Sequence, residues 1–372
     1  MTLFLPEAVR VNLMAPQKVE TQIPQLCVHT RLIDEVQEWV IQKSLIDVRE
    51  LGAQTIVEFF PWAYIENQQG RYEWAQTDRI IQHAQNQGLI VIARMGLVPE
   101  WARPSTNERF TTFNELPPEA YEDFAHFVGL FAERYRDSVQ HIIVWNEPNL
   151  SFEWGYQQPD PARYVELLSV VYPEVKAANP DAIILAGALA PTIEPAGSPH
   201  ALNDLLYLEG MYEAGASQWF DALAIHTYGF THPADAEPAF DQLNFRRAEL
   251  LREIMVEYGD AHKPVFITES GWNDNPRWTL AVNPAERIGY TLDAYRLIED
   301  QWDWAQSLCL WAFRYPRPTY SYPDNFTLVT SEFQYKPIYY ELQSMARGWN
   351  ISTSNVENQS EEQLWLPAPI TP

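Results

Sequence analysis

Along the chain, short runs of apolar, largely β-branched residues alternate with longer stretches in which apolar positions recur every three or four residues. The first pattern predicts buried strands and the second amphipathic helices. QLCVHT, centred on 26–30, leads to a helical pattern through Val36, Val40, Leu45 and Val48 that stops near Gly52. TIVEFF leads to a helix at 77–87 that Gly88 ends, and LIVIARM to one at 118–136 opened by Pro117-Pro118, where a first-turn proline is tolerated. HIIVW precedes a helix at 160–178 closed by Asn179-Pro180, and AIILAG one at 201–214 stopped by Gly215. DALAIHTY, PVFITES and SLCLWAF precede helices at 242–258, 284–300 and 337–347.

These are eight strand-then-helix units in one unbroken run. Strands alternating with helices imply parallel pairing with right-handed crossovers. Eight units in 372 residues fit a single α/β domain, the (β/α)8 TIM barrel. A doubly wound sheet competes, but its Gly-rich phosphate turn is missing from CVHTRLID after the first strand. Residues 1–349, including a short N-terminal lead, are read as the barrel, and 350–372 as a polar, Pro-rich tail.

Composition narrows the partners. At 46% hydrophobic residues the chain is globular, and no apolar run approaches the roughly 18–20 residues of a membrane span. A net charge of −25 repels phosphate backbones and anionic lipid, so neither nucleic acid nor a membrane is expected as a partner. Cys27 and Cys309 lie far apart in apolar runs and are read as buried free thiols rather than a disulfide. The first thirty residues lack a signal-peptide pattern, which favours the cytoplasm, or an extracellular location for a trimmed chain.

In a barrel of this kind the catalytic groups stand at the C-terminal ends of the strands. The residues ending the apolar runs are His29 and Arg31, Glu58 and Trp62, Arg94, Asn146 and Glu147, His226 and Tyr228, Glu269, and Trp311. Two carboxylates end otherwise apolar strands, Glu147 on the fourth and Glu269 on the seventh. Side chains alternate along a strand, which puts Ile143, Trp145 and Glu147 on one face, Val265, Ile267 and Glu269 on another, and His226 with Tyr228 between them. The two acids then approach across the barrel mouth, as retaining glycoside hydrolysis requires at a separation of roughly 5–5.5 Å. A lone glutamate at a strand end is commonly a loop or cap residue. The pair, flanked by amide, imidazole, phenol and indole groups, points to catalysis.

WNEPN at 145–149 and ITESGW at 267–272 resemble the two signature strand ends of clan A, the retaining glycoside hydrolases on (β/α)8 barrels. With ALAIHTYG and LWAFRY, the wording is most similar to family 39 and family 5 members, including cellulase-like and β-xylosidase-like enzymes, over residues 26–347. The resemblance implies an O-glycosyl hydrolase acting on a β-linked glycan or oligosaccharide. It implies Glu147 as acid/base, Glu269 as nucleophile, Asn146 on the sugar 2-hydroxyl, Tyr228 bonded to Glu269, His226 orienting the site, and Trp311 as an apolar floor. Ideal alternation points Asn146 away from the pocket, so a bulge or twist is expected there. Many family 5-like chains carry an arginine at the end of strand two, where this one has Glu58. Either Arg94 or Arg31 supplies the missing cation, or Glu58 is salt-bridged to one of them.

Trp62, Trp101, Trp154 and Trp272 fall in predicted strand-to-helix loops, where indoles either stack on sugar faces or pack the loop against the barrel. HExxH, paired CxxC, P-loop and GxSxG motifs are absent, and His83, His126, His141, His200, His232 and His262 are scattered, as surface or packing residues are. No metal and no cofactor are expected. The alternatives are a barrel that binds glycan without cleaving it, supported only by the missing strand-two arginine, and a metal-dependent barrel hydrolase or lyase.

Overall fold

The computed structural model describes residues 15–104 and 112–349; most of the expected lead and all of the expected tail lie outside these residues. Eight parallel strands, each hydrogen-bonded to its neighbours in chain order, close into a barrel. They are β1 Leu26–His29, β2 Thr55–Pro61, β3 Ile90–Gly96, β4 His141–Val144, β5 Ile183–Leu189, β6 Ala222–Tyr228, β7 Val265–Gly271 and β8 Ala305–Leu310. The helices are α1 Glu38–Leu51, the single turn α2 Trp62–Ile65, α3 Ala75–Asn86, α4 Tyr121–Arg134, α5 Pro161–Ala178, α6 Asp204–Glu213, α7 Arg247–Glu257, α8 Pro284–Gln301 and α9 Pro337–Arg347. All eight predicted strands and eight predicted helices are present. No helix among the described residues is long and apolar enough to cross a membrane.

Each strand sends alternate side chains to two separate cores. Cys27, Val57, Ile92, Ile143, Leu185, Ala222, Phe266 and Cys309, one from each strand, fill the barrel interior with Ala188 and Ala224. Their neighbours, such as Val28, Ile56, Ile142, Leu223 and Ile267, pack outward beneath the helices. This layering decides which strand-end residues face the mouth.

Three helices start three or more residues later than their periodicity predicts: α4 follows a 3₁₀ turn at Pro118–Ala120, and in α6 and α7 tertiary partners claim the first residues. α7 begins at Arg247 rather than near 242. The buried Arg247 guanidinium is paired with Asp204 at 2.8 Å and collects the carbonyls of Ala239, Phe240 and Gln242, the last of which a helix begun at 242 would have used internally. α6 begins at Asp204 rather than near 201, since Ala201 bridges to Leu150 and the Leu202 amide donates to Asn149. Asn203 then caps the helix by accepting from the Leu205 amide.

The cysteines correct an expectation. They are joined as a Cys27–Cys309 disulfide, with Cα atoms 4.1 Å apart. The residues are 282 positions apart in sequence, but closure pairs β1 with β8 and sets Cys27 directly opposite Cys309, both pointing inward.

Candidate active site

The mouth is built on the interior-facing parity of each strand. On β6 that parity runs through Ala222 and Ala224 to His226 and Tyr228, so these two share the expected face. On β3 it runs from Ile92 to Arg94, on β1 from Cys27 to His29, and on β8 from Cys309 to Trp311. The two glutamates arrive differently. Val265 and Ile267 belong to the outer core, so strict alternation would have turned Glu269 outward with them. Instead β6 pairs Ile225 with Ile267 and then His226 with Glu269, which leaves Thr268 as an extra residue and reverses the parity. On β4, Trp145 does not share a face with Ile143. Its φ of 77° swings the indole into the outer core, edge-on to Phe124 and Trp154. With Glu147 also at a positive φ of 44°, this twist re-aims both Asn146 and Glu147 into the mouth.

The segment after β4 is held rigidly. The Glu147 amide donates to the Ala188 carbonyl at 3.0 Å and the Leu150 amide to Glu147 at 2.9 Å. Asn149, fully buried, accepts from the Ala190 amide at 2.9 Å and donates to the Ala190 and Leu202 carbonyls. The acid therefore stands on a loop welded to the end of β5.

A carboxylate oxygen of Glu147, one of Glu269 and a ring nitrogen of His226 all lie within 4.8 Å of one another. Glu269 accepts from Arg94 at 2.9 Å on one oxygen and from the Tyr228 hydroxyl at 2.9 Å on the other. His226 Nδ1 is 2.8 Å from Glu147 and 3.5 Å from Glu269, and His29 Nε2 is 3.6 Å from Glu269. Asn146 Oδ1 accepts from the same Arg94 at 2.8 Å. Trp311 lies edge-on to His29, with ring centroids 4.5 Å apart.

These environments separate the two acids electrostatically. Burial pushes the Glu147 carboxyl up to about 7, opposed only by the charge of Arg94. Burial also pushes Glu269 up, but His226, Arg94 and the Tyr228 hydrogen bond all pull it back, against the like charge of Glu147. Burial holds His226 down to about 4, aided by Arg94 and opposed by Glu269, so its ring is neutral at pH 7. Burial keeps the Tyr228 phenol well above its ordinary range, so it stays a donor.

Several expected site residues fall elsewhere. Glu58 points outward from β2, fully buried, and accepts from the Thr30 hydroxyl and the Leu32 and Ile33 amides at 2.5, 2.9 and 3.1 Å. It anchors the 3₁₀ turn Leu32–Asp34 and is salt-bridged to neither Arg94 nor Arg31. Arg31 pairs with Asp34 at 2.9 Å. The cation beside Glu269 is thus Arg94, on β3 rather than β2. The loop tryptophans are packing residues. Trp62 is buried against Trp101, Phe124 and Phe127 and donates to Glu66. Trp101 donates to the Glu66 carbonyl, Trp154 packs on Trp145 and Tyr164, and Trp272 donates to the His232 carbonyl beneath Gly229.

The aromatic surface that meets the acids joins Trp311 and Tyr228, which the sequence singled out, to Trp278, Tyr315, Tyr322 and Phe326, which it did not. A cleft of about 490 Å³ holds Glu147 and Glu269 together with Trp311, Tyr228, Trp278, Tyr315, Tyr322 and Phe326. Glu153, whose carboxyl burial and the charge of Glu147 push up to about 7, lines a smaller cavity of about 150 Å³ with Arg94 and Asn146. The residues missed lie in loops beyond the strand ends; the acid-aromatic clusters FEW and SYPDNF were the available signals for Glu153, Tyr322 and Phe326.

Among the described residues, Glu147, His226 and Glu269 are also the one group of metal-ligating side chains close enough to share an ion. Arg94, 2.9 Å from Glu269, already places a fixed positive charge there. A second cation would meet its repulsion.

The fold is similar to that of a family 39 glycoside hydrolase from the gut symbiont Bacteroides cellulosilyticus WH2, at 21% identity and a TM-score of 0.68, over 90% of this chain and 65% of that one. It is also similar to a monomeric β-xylosidase from Caulobacter crescentus CB15, at 18% identity and a TM-score of 0.61, over 89% of this chain and 69% of that one. A GH5_18 from Streptomyces cattleya in complex with GlcNAc matches at 14% identity and a TM-score of 0.63, over 91% of this chain and 82% of that one. No curated protein matches the sequence. The profile of the cellulase family matches residues 42–308, more than half of the sequence, and the chain belongs to that family, glycosyl hydrolase family 5.

Proposed function

We propose that the chain is a retaining hydrolase of β-glycosidic bonds in an oligo- or polysaccharide, working by double displacement with Glu147 and Glu269. The observation that carries this reading is the meeting of two carboxylates within 4.8 Å in unlike surroundings. That closeness suits the roughly 5–5.5 Å carboxyl spacing of retaining chemistry and leaves no room for the water an inverting enzyme places between them. Glu269, with a donor on each oxygen, attacks the anomeric carbon as a carboxylate. Glu147, its carboxyl titrating at about 7, gives its proton to the departing oxygen. Forming the glycosyl ester removes the charge of Glu269, which lowers the affinity of Glu147 for a proton while it accepts one from the incoming water. Asn146, fixed by Arg94, meets the 2-hydroxyl, and Trp311 lies under the ring. The names of the relatives, cellulase and β-xylosidase, support a β-linked substrate. The cystine in the barrel interior favours folding where thiols are oxidised, which supports the extracellular location of the two weighed.

The test is covalent trapping. An activated 2-deoxy-2-fluoro glycoside, offered as a panel of β-sugars, is expected to label Glu269 at one equivalent per chain. Replacing either glutamate with alanine is expected to cut kcat by about 10³-fold or more with the fold intact. Azide is expected to restore Glu269→Gly with an inverted glycosyl azide and Glu147→Ala with a retained one. Labelling elsewhere, or an unchanged rate in either variant, removes that residue from the mechanism. A carbohydrate-binding barrel without catalysis loses its support, because Arg94 stands where the cation was missing.

A further inference from the structure

We propose that the cleft continues past the acids into a second sugar subsite, reached over the stacked rings of Trp278 and Tyr322, and that the substrate is a chain of several β-linked pyranose units. The proposal deepens the glycoside-hydrolase reading above and rests on it. Trp278 and Tyr322 line the catalytic cleft and also line a second cavity of about 480 Å³. That volume lies in the roughly 300–1,000 Å³ range of ligand pockets. The two rings stack with centroids 4.8 Å apart and planes 21° apart, so the pair is one wall common to both cavities. Each ring of a stack covers one face of the other and leaves its second face for another partner. Tyr322 is 46% exposed, and Tyr320, which borders the second cavity but not the first, is 92% exposed. A pyranose with equatorial substituents offers a flat C–H face to such rings. Rings on both sides of a shared wall suit a chain of sugars rather than one.

These rings are held in place by the fold. The Asp324 carboxyl accepts from the Thr319 amide at 2.9 Å and from the Tyr320 amide at 2.8 Å. It thereby fixes Tyr320 at φ 55°, a backbone conformation that a tyrosine rarely adopts. The 3₁₀ turn Tyr322–Asn325 carries the next ring. Asn273, buried just after β7, donates to the Tyr322 carbonyl at 2.8 Å, and Asn325 donates to Asp274 at 2.9 Å. The segments that follow β7 and β8 are therefore tied into one rim. Within the first of them the Trp278 amide donates to the Asn275 carbonyl at 3.1 Å. Apolar ring surface gains by leaving water, so a rim that fixes aromatic faces beside a cleft offers them to a ligand. The polar groups also suit sugar hydroxyls. Arg277, exposed beside the second cavity, forms no ion pair among the described residues, which leaves its guanidinium free to donate.

The test measures kcat/KM for β-linked oligosaccharides from disaccharide to hexasaccharide, in whichever sugar series the enzyme cleaves. In the wild type, kcat/KM is expected to rise about tenfold or more along the series and then level off once the second cavity is filled. Tyr320→Ala is expected to cut kcat/KM on the hexasaccharide about fivefold or more, chiefly by raising KM, and so to flatten the rise with length. Tyr320→Phe, which keeps the ring, is expected to restore most of that rise. Arg277→Ala is expected to give a smaller loss of the same kind. Trp278→Ala, which opens the shared wall, is expected to weaken short and long substrates alike. Thermal unfolding of each variant separates these effects from misfolding, and Arg277→Ala carries the test if Tyr320→Ala does not fold. A wild type whose kcat/KM does not rise with chain length overturns the proposal alone, as does a rise that survives both Tyr320→Ala and Arg277→Ala. A wild type that cleaves no glycoside overturns the reading beneath it as well.

Discussion

A carboxyl with two donors and a carboxyl with none but an imidazole do different chemistry, even when they nearly touch. Glu269 and Glu147 stand in that relation, and pH reports it. The alkaline limb of kcat/KM is expected near pH 7, where Glu147 loses the proton it must donate. Arg94→Gln removes the charge that lowers both carboxyls. The acid limb, set by Glu269, is expected to move to higher pH in that variant, with kcat/KM down by about 10²-fold or more. A pH–rate profile that does not shift would detach Arg94 from the acid limb and from Glu269. Stability follows the opposite sign from activity. The Glu147 pKa is raised on folding, from 4.5 to about 7, so the native state binds its proton more tightly than the unfolded chain does. Stability from this group is full below about pH 4.5 and falls as pH rises to 7. Glu147→Gln is therefore expected to be more stable than wild type at pH 8, by about 2–3 kcal/mol in denaturant melts, while nearly inactive. Both glutamates were legible in the sequence because each breaks an apolar run at a strand end. Glu153 was not, since only the turn that folds back after β4 brings it into the cavity of Arg94 and Asn146.

At the scale of the element, alternation is a good guide until a strand departs from ideal geometry. It is correct for β6, where His226 and Tyr228 continue the inward row. It fails on β7, where the extra residue Thr268 reverses the parity, and on β4, where positive φ at Trp145 and Glu147 replaces the pleat. The two acids proposed as catalytic are carried by the two irregular strand ends, and the expected twist at Asn146 is one of these features. Glu58 shows the converse. It obeys alternation, points outward, and serves the turn Leu32–Asp34 instead of the mouth. Glu58→Ala is expected to destabilise the fold by about 2–4 kcal/mol, since it strands the amides of Leu32 and Ile33 and leaves the Thr30 hydroxyl only the Val57 carbonyl, while kcat stays within about threefold of wild type. A loss of activity in excess of the loss of stability would return Glu58 to the site. The late starts of α6 and α7 have the same origin, because Asn149 and Arg247 take backbone groups that local propensity assigns to helices.

For the whole molecule, closure of the barrel is the organising event. It brings β1 against β8, makes one interior from single residues of eight strands, and sets Cys27 opposite Cys309. Reduction, or replacement of both cysteines by serine, is expected to lower stability by about 2–4 kcal/mol, read as a drop in the melting midpoint, with activity at 25 °C retained. An unchanged midpoint after reduction would show that the strand pairing alone holds the seam. Full turnover in the presence of a chelator is the expected outcome for a site in which Arg94 supplies the positive charge, and loss of turnover reversed by a divalent ion would favour the metal-dependent alternative.

The sequence by itself determined the barrel, the eight units and the two glutamates, because hydrophobic period, helix stops and a carboxylate ending an apolar strand are local signals. Tertiary structure decided which cation serves Glu269, which way Glu58 and Trp145 point, that the cysteines are bonded, and that Trp278 and Tyr322 reach the cleft while Trp62 and Trp272 do not. Each of these depends on register between strands distant in sequence, or on a single backbone angle that reverses a side chain. Neither leaves a period in the pattern of apolar and polar residues.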